Sequence, residues 1–141
     1  MRRSAALLAA VLAACSGTTP YRQAGDANLE VRSSLEGARA SLHIHRLDEK
    51  CRTRYEGTVA LDSPVVAVAI PADSLLVVSF ATSSFLGGNR GSISRELALR
   101  PRPGYRYRIE ARYKDAIYDV EAIEIPPRGK PRVLKLGADC G

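Results

Sequence analysis

The sequence predicts an all-β protein, a small antiparallel β-sandwich of about seven or eight strands closed by one disulfide. Apolar and polar residues alternate with a period of two along most of the chain after Asn28, as they do in half-buried strands. Turns rich in proline and glycine separate these runs at short intervals. Short strands at this spacing, with no convincing helical period, pack as a sandwich or a barrel.

The first predicted strands lie within residues 28–61. NLEVRSS, residues 28–34, is predicted to form a strand, although a short helix between Asp26 and Gly37 is an alternative. ARASLHIHRL, residues 38–47, places its leucine and isoleucine on the face opposite its two histidines. YEGTVAL, residues 55–61, places its tyrosine and its valine together on one face.

Two nearly continuous apolar runs follow. They are PVVAVAI, residues 64–70, and LLVVSFAT, residues 75–82, joined by a tight turn at residues 71–74. Because a run that is apolar on both faces is typical of a covered central strand, both are predicted to be central. SSFLGGNRGS, residues 83–92, is predicted to be a loop, since its three glycines are costly inside a strand.

The last four predicted strands lie within residues 93–136. ISRELALR alternates and ends at a turn made by Pro101–Gly104. YRYRIEARY has the clearest alternation in the chain, with tyrosines and isoleucine on one face and arginines on the other. In IYDVEAIEI the apolar residues change face near Ala122, which predicts a bulge there. PRVLKL is the final strand.

The amino-terminal segment differs from the rest of the chain. Two arginines precede an uncharged run from Ser4 to Ala14, and then come Cys15 and small polar residues. This is the layout of an export signal. The run is too short for a permanent membrane span, since a helix needs about 20 apolar residues to cross. It also lacks the polar face and cap of a core helix.

Leu12-Ala13-Ala14-Cys15 resembles the lipobox of bacterial lipoproteins. The resemblance implies that residues 1–14 are removed and that Cys15 carries lipid, with two or three acyl chains giving effectively permanent anchoring. It also implies that Ser16 favours the periplasmic face of the outer membrane over retention in the inner membrane. Residues 15–27 are predicted to be a flexible tether of about 20 Å, and residues 28–141 the sandwich domain.

The same assignment accounts for an odd number of cysteines. If Cys15 is lipidated, Cys51 and Cys140 remain, and in an oxidising compartment such a pair persists as a disulfide. The alternative is two free thiols that act as ligands or nucleophiles. It lacks a CxxC spacing and a histidine beside Cys140.

Size and charge narrow the possible functions. The mature chain from Cys15 to Gly141 has 127 residues, enough for one ordinary core. After loss of Arg2 and Arg3 it carries 19 basic and 15 acidic residues. This net charge of +4 is too mild to indicate nucleic acid binding.

The order of the strands resembles small exported bacterial modules of the PEGA and carboxypeptidase-regulatory type. The stretches that carry the resemblance are VAIPADSLLVVSFAT and LRPRPGYRYRIEA, with a Pro-Gly-x-x-Tyr entry to a strand at residues 103–107. Asp73 stands where such modules usually have glycine. The resemblance implies an immunoglobulin-like or transthyretin-like sandwich that binds or spaces rather than catalyses, and it carries over no functional residue.

Two pairs of residues are candidate contact sites. His43 and His45 project about 7 Å apart from one strand, a spacing that lets them share a metal ion. The alternative is a solvent-facing pair. Phe85 and Leu86 lie in the predicted glycine-flanked loop and offer an apolar anchor to a partner, or they plug the open end of the sandwich.

A third candidate is an anion-binding set, Arg106, Arg108 and Arg112, in a stretch where basic residues outnumber acidic ones. Clustered arginines recognise the oxyanions of lipopolysaccharide or the cell wall. The alternative is a solvated sheet face in which Arg112 lies opposite Asp119 and part of the charge is matched.

No stretch matches a nucleophile elbow, a phosphate loop or a carboxylate dyad, so the sequence predicts neither an enzyme nor a cofactor. It predicts a lipid-anchored periplasmic envelope protein that acts as a binding or structural module. Its expected partners are the membrane and another envelope protein, lipopolysaccharide or the cell wall. The alternative is a small periplasmic inhibitor that uses the Phe85 loop, or a metal-binding protein that uses His43 and His45.

Overall fold

The computed structural model describes residues 18–34, 38–86, 89–114, 117–137 and 140, with the backbone alone described at 38, 83–86, 89–92, 113–114 and 117–118. These residues contain nine strands and no helix. The strands are β1 (Leu29–Ser34), β2 (Ala38–Leu47), β3 (Thr53–Ala60), β4 (Val65–Val68), β5 (Leu76–Leu86), β6 (Asn89–Leu99), β7 (Arg106–Lys114), β8 (Ile117–Ile125) and β9 (Arg132–Leu134).

The strands form two sheets that enclose one core. One sheet has the order β4-β1-β7-β8-β9 and the other the order β3-β2-β5-β6. All neighbours are antiparallel except β1 and β7, which are parallel. The largest buried side chains of the core are Phe80, Leu29, Leu42, Ile44, Leu76, Val31 and Val78. The predicted β-sandwich is confirmed, with nine strands rather than seven or eight.

The two apolar runs, both predicted to be central, have different positions. β5 is central between β2 and β6, and its residues Leu76–Phe80 are all buried. The prediction for β4 is wrong, because β4 pairs with β1 alone and lies at the edge of its sheet. Val65 is 52% exposed there. An apolar run therefore does not distinguish an edge strand from a central one, because pairing partners are set far away in the chain.

β8 contains no bulge at Ala122, contrary to the prediction. Its pairing with β7 is continuous from Ile125 opposite Arg106 to Ile117 opposite Lys114. The alternation of apolar residues breaks because the side chain of Glu124 points towards the core, whereas those of Ile123 and Ile125 lie on the outer face. Glu124 is tolerated there because it is hydrogen-bonded and paired with a cation.

Residues 83–86 and 89–92 belong to strands rather than to the predicted loop, and residues 87–88 lie outside the described residues. β5 and β6 pair without a register shift up to Leu86 opposite Asn89, and β2 pairs with β5 as far as Ser84. Backbone pairing on both sides of β5 as far as Ser84 thus outweighs the loop-favouring composition of the described residues.

A bulge that the sequence does not predict lies in β3. The register between β2 and β3 shifts after Ile44, so that Gly57 faces Ile44 and Tyr55 faces His45. Tyr55 is therefore turned to the outer face beside His45, away from the core face that Val59 occupies. Gly57 has a φ of 147°, a backbone conformation that side chains rarely adopt.

The turn before β5 has Asp73 where similar modules usually have glycine, and its backbone conformation accounts for this difference. Asp73 has a φ of 60°, in the left-handed region that glycine enters without strain and that aspartate tolerates better than most residues. Its amide donates to the carbonyl of Pro101 at 2.8 Å, which joins this turn to the one before β7.

Candidate functional site

Loops from both sheets meet at one end of the sandwich. We call this surface the loop end, and it comprises residues 48–52, 71–75, 100–105 and 126–131. At it, Cys51 and Cys140 form the predicted disulfide, with an S–S distance of 2.02 Å and a Cα–Cα distance of 5.8 Å. The carboxy terminus is thereby tied to the β2–β3 loop.

Asp48 organises the β2–β3 loop. Its carboxylate accepts hydrogen bonds from the amides of Lys50 and Arg52 at 2.8 and 2.9 Å, and from the Arg52 side chain at 2.7 Å. These bonds, with the Arg52 amide the largest contribution, hold the pKa of Asp48 below its usual value. The loop so formed presents Cys51 with a φ of 59°.

The segment just before the sandwich docks on β3. Thr58 donates its amide to the carbonyl of Thr19 at 2.8 Å and accepts from the amide of Tyr21 at 2.9 Å, which forms a parallel bridge opposite Pro20. The hydroxyl of Tyr55 donates to the same Thr19 carbonyl at 3.3 Å. The side chain of Tyr21 packs against the core.

Gly57 makes this docking possible. A Cβ at that position would lie 2.5 Å from the Cα of Tyr21 and 2.7 Å from its nitrogen. Only glycine allows two backbones to approach this closely. The prediction of a flexible tether over residues 15–27 therefore needs correction at residues 19–21, which are hydrogen-bonded to a strand.

The two histidines lie on the outer face of the four-stranded sheet as predicted, each with a partner. Nδ1 of His43 lies 2.8 Å from the Thr58 hydroxyl, and Nε2 lies 3.1 Å from the Ser41 hydroxyl. The ring of His45 packs against Tyr55 with centroids 5.4 Å apart. The part of the chain that the structure describes holds no group of three or more potential metal ligands. A metal at His43 would have to displace one of these hydrogen bonds.

The three arginines of the predicted anion site share the outer face of the five-stranded sheet, alternating with the core residues of β7. Arg108 lies between two carboxylates, 3.4 Å from Glu30 and 3.7 Å from Glu110. Arg112 is ion-paired with Glu110 and lies opposite Asp119 in register, as the sequence predicts. The hydrogen bond from Arg112 is the main reason that the pKa of Glu110 is lowered. Within the described residues, Arg106 alone of the three has no ion pair.

Phe85 and Leu86 belong to β5, opposite Arg90 and Asn89. They are therefore strand residues rather than parts of a loop, and their side chains lie outside the described part of the structure. Cys15, the predicted lipidation site, also lies outside it.

A buried polar group that sequence reasoning missed lies between the sheets. The Tyr107 hydroxyl donates to Glu124 at 3.2 Å and accepts from the amide of Arg102 at 2.9 Å, while Arg132 binds the other Glu124 oxygen at 2.8 Å. Burial is the main reason that the pKa of Tyr107 is raised. The signal available in the sequence was the break in alternation at Ile123–Ile125, which marks an inward carboxylate rather than a bulge.

A cleft of about 300 Å³ opens beside this group, between β6 and β9. Its charged lining residues are Asp73, Arg100, Arg102, Glu124, Arg132 and Lys135. Since Glu124 is already paired with Arg132, the free charge of the cleft is mainly positive.

The comparisons with known proteins add a likeness of fold. No protein-family model matches the chain, and no curated protein matches it. Among solved structures, transthyretin from Sparus aurata is similar over 70% of this chain and 98% of that chain, with a TM-score of 0.47 and 12% identity.

Among the described residues there is no helix long and apolar enough to span a membrane. The pairing of the strands and the Cys51–Cys140 bond by themselves define a small, disulfide-closed β-sandwich.

Proposed function

We propose that this chain is a lipid-anchored envelope protein whose β-sandwich acts as a binding or structural module rather than as an enzyme. The observation that carries the proposal is the motif Leu12-Ala13-Ala14-Cys15 behind a basic, then apolar, amino terminus. Its position suits removal of residues 1–14 and acylation of Cys15.

The disulfide supports this assignment in two ways. It pairs Cys51 with Cys140, so Cys15 is the cysteine left for lipid. A disulfide between exposed loops also persists best in an oxidising compartment such as the periplasm.

Mass spectrometry of the intact protein, expressed at full length in a diderm bacterium and kept non-reduced, tests the anchor. We expect loss of residues 1–14, a mass increment of two or three acyl chains on Cys15, and no free thiol at Cys51 or Cys140. Cys15→Ala should abolish both processing and lipid. Cys51→Ala is the matched control, because it removes a cysteine but leaves the motif intact. An unprocessed, unacylated wild type would contradict the proposal.

Fractionation of the membranes tests the location. We propose that Ser16 directs the protein to the periplasmic face of the outer membrane, so Ser16→Asp should move it to the inner membrane. Equal distribution of the two proteins would contradict this part of the proposal.

For the partner of the module, we propose an anionic envelope component, lipopolysaccharide or the cell wall. Arg106 supports it, because this arginine is exposed and unpaired among the described residues. Retention of the protein on purified lipopolysaccharide and on cell-wall sacculi should fall in an Arg106/Arg108 double alanine variant. Unaltered retention on both would overturn this assignment.

A further inference from the structure

The point at which the amino-terminal segment reaches the domain determines how the anchor can orient it. The first docked residue is Thr19, held by the amide of Thr58 and the hydroxyl of Tyr55. Four residue steps separate Thr19 from Cys15. A chain of four residues spans at most about 14 Å. The chain between the proposed lipid and the docked segment is therefore shorter than β3, whose eight residues span about 25 Å.

The direction of the docked segment adds a second constraint. It runs parallel to β3 at Thr58, so the chain that precedes Thr19 leads towards the start of β3 at Thr53. Thr53 adjoins the β2–β3 loop and the disulfide. Thr19 is level with Gly57. The four residue steps from Thr19 back to Cys15, at about 3.3 Å each, can therefore reach the level of Thr53. The opposite end, which begins after Ala60, lies at a similar distance from Gly57, so it is the direction of the docked segment that favours the loop end.

The charge of the loop end favours the same orientation. The loop end presents six exposed basic side chains and three exposed acidic ones, which are Lys50, Arg52, Arg100, Arg102, Arg128 and Lys130 against Asp48, Glu49 and Asp73. Of the loops at the opposite end, the structure describes residues 61–64 alone, and Asp62 is the one charged residue there. Basic side chains near a bilayer are attracted to anionic headgroups.

We propose that the docking of Thr19–Tyr21 on β3 seats the sandwich with its loop end, including Lys50 and Arg102, against the phospholipid surface. The inference rests on the proposed acylation of Cys15, and it goes further by naming the face that meets the membrane. It leaves the opposite end and the outer faces of both sheets open to other partners.

Tryptophan fluorescence tests this orientation, because the chain contains no tryptophan. Lys50→Trp places a single reporter at the loop end, and Ser63→Trp places one at the opposite end. The full acylated proteins are reconstituted into vesicles of phosphatidylethanolamine and phosphatidylglycerol that contain a lipid spin-labelled at its headgroup. The eight residues of β3 alone separate the ends by about 25 Å, so the quencher can distinguish them.

We expect loss of emission from Lys50→Trp and no loss from Ser63→Trp. Equal quenching of the two, stronger quenching of Ser63→Trp, or no quenching of either in proteins that float with the vesicles would overturn the orientation. Flotation of the vesicles reports the anchor separately. Failure of both proteins to float, with Cys15 unmodified by mass, would overturn the proposed function.

A variant that releases the docked segment tests the cause of the orientation. Gly57→Val adds a side chain where Tyr21 approaches β3. It should release residues 19–21 and so lengthen the undocked chain after Cys15, while Cys15 itself and the charges of the loop end stay unchanged. In this background both reporters should still float, and the difference in quenching between them should disappear. Persistence of the full difference would show that docking does not orient the domain.

Discussion

The two open sides of the sandwich are closed by the two ends of the chain, by different chemistry. On the side of β3 and β4, Thr19 and Tyr21 bond to Thr58 beside Gly57, which permits the close approach, and Asn28 donates to Val68. On the side of β6 and β9, Gly137 exchanges hydrogen bonds with Ala98 and Glu96 at 2.7 and 2.8 Å. The disulfide at Cys140 then secures that end covalently.

The comparison assigns a different role to each closure. The carboxy-terminal closure mainly stabilises the fold, and the amino-terminal closure positions the domain relative to the proposed anchor. The carboxy-terminal closure is locked by a covalent bond that closes a long loop. The amino-terminal closure is weaker, and it is the one that connects the domain to the proposed anchor. Four variants follow, from the largest expected effect to the smallest: three test the closures, and Tyr107→Phe tests a buried group that belongs to neither.

Removing the disulfide should have the largest effect. Cys51→Ala with Cys140→Ala releases a sequence separation of 89 residues. The chain-entropy model predicts a loss of about 4 to 5 kcal/mol in the free energy of unfolding. Urea denaturation of both proteins measures it. A loss well below about 1 kcal/mol would mean that the hydrogen bonds of Gly137 suffice to hold the carboxy-terminal closure.

Gly57→Ala should come second, because its Cβ would overlap the backbone of Tyr21. Gly25→Ala is the control, since Gly25 also has a positive φ but has no atom within 4 Å of the added Cβ. We expect Gly57→Ala to cost about 1 to 3 kcal/mol more than the control. Trypsin should also cut faster after Arg22. Equal losses in the two variants would show that strain alone matters, and not docking.

Tyr107→Phe should cost about 1 to 2 kcal/mol at neutral pH, since Glu124 loses a donor and the Arg102 amide loses an acceptor. The variant also has a pH signature. The pKa of Tyr107 is raised by burial, so above pH 10.0 the unfolded chain loses this proton first and stability falls as pH rises. Urea denaturation at rising pH should show a shallower decline for Tyr107→Phe. Parallel curves would contradict the assignment.

Tyr55→Phe should have the smallest effect, about 0.5 to 1 kcal/mol, because one hydroxyl bonds the Thr19 carbonyl at the protein surface. The ring and its packing on His45 are retained. Slightly faster trypsin cleavage after Arg22, without any change at the carboxy terminus, would place this hydroxyl in the amino-terminal closure. Faster release of the carboxy-terminal segment instead would be inconsistent with separate closures.

Much of the fold could be predicted because it depends on local pattern. β2 lies over residues 38–47 as predicted, and in β7 the side chains of Tyr107, Ile109 and Ala111 are buried as their alternation requires. The disulfide was predicted from the number of cysteines together with the proposed export and lipidation of Cys15. In each case the information lies within a few residues or in the number of one residue type.

The errors have a common physical origin in partners that are distant in sequence. β4 is an edge strand because it pairs with β1, more than 30 residues away. Glu124 points inward because Tyr107 and Arg132 bind it there. The contacts of the candidate site residues could not be predicted for the same reason. The ion pairs of Arg108 and the hydrogen bonds of His43 depend on neighbouring strands.

The sequence by itself determined that this chain makes strands and where most of them begin. Period-two alternation and turn residues act locally, so they can be read without the partners. Only the tertiary structure decided the order of strands in each sheet and the docking of residues 19–21 beside Gly57. Those features depend on backbone hydrogen bonds and close approaches between segments far apart in the chain, for which local pattern carries no signal.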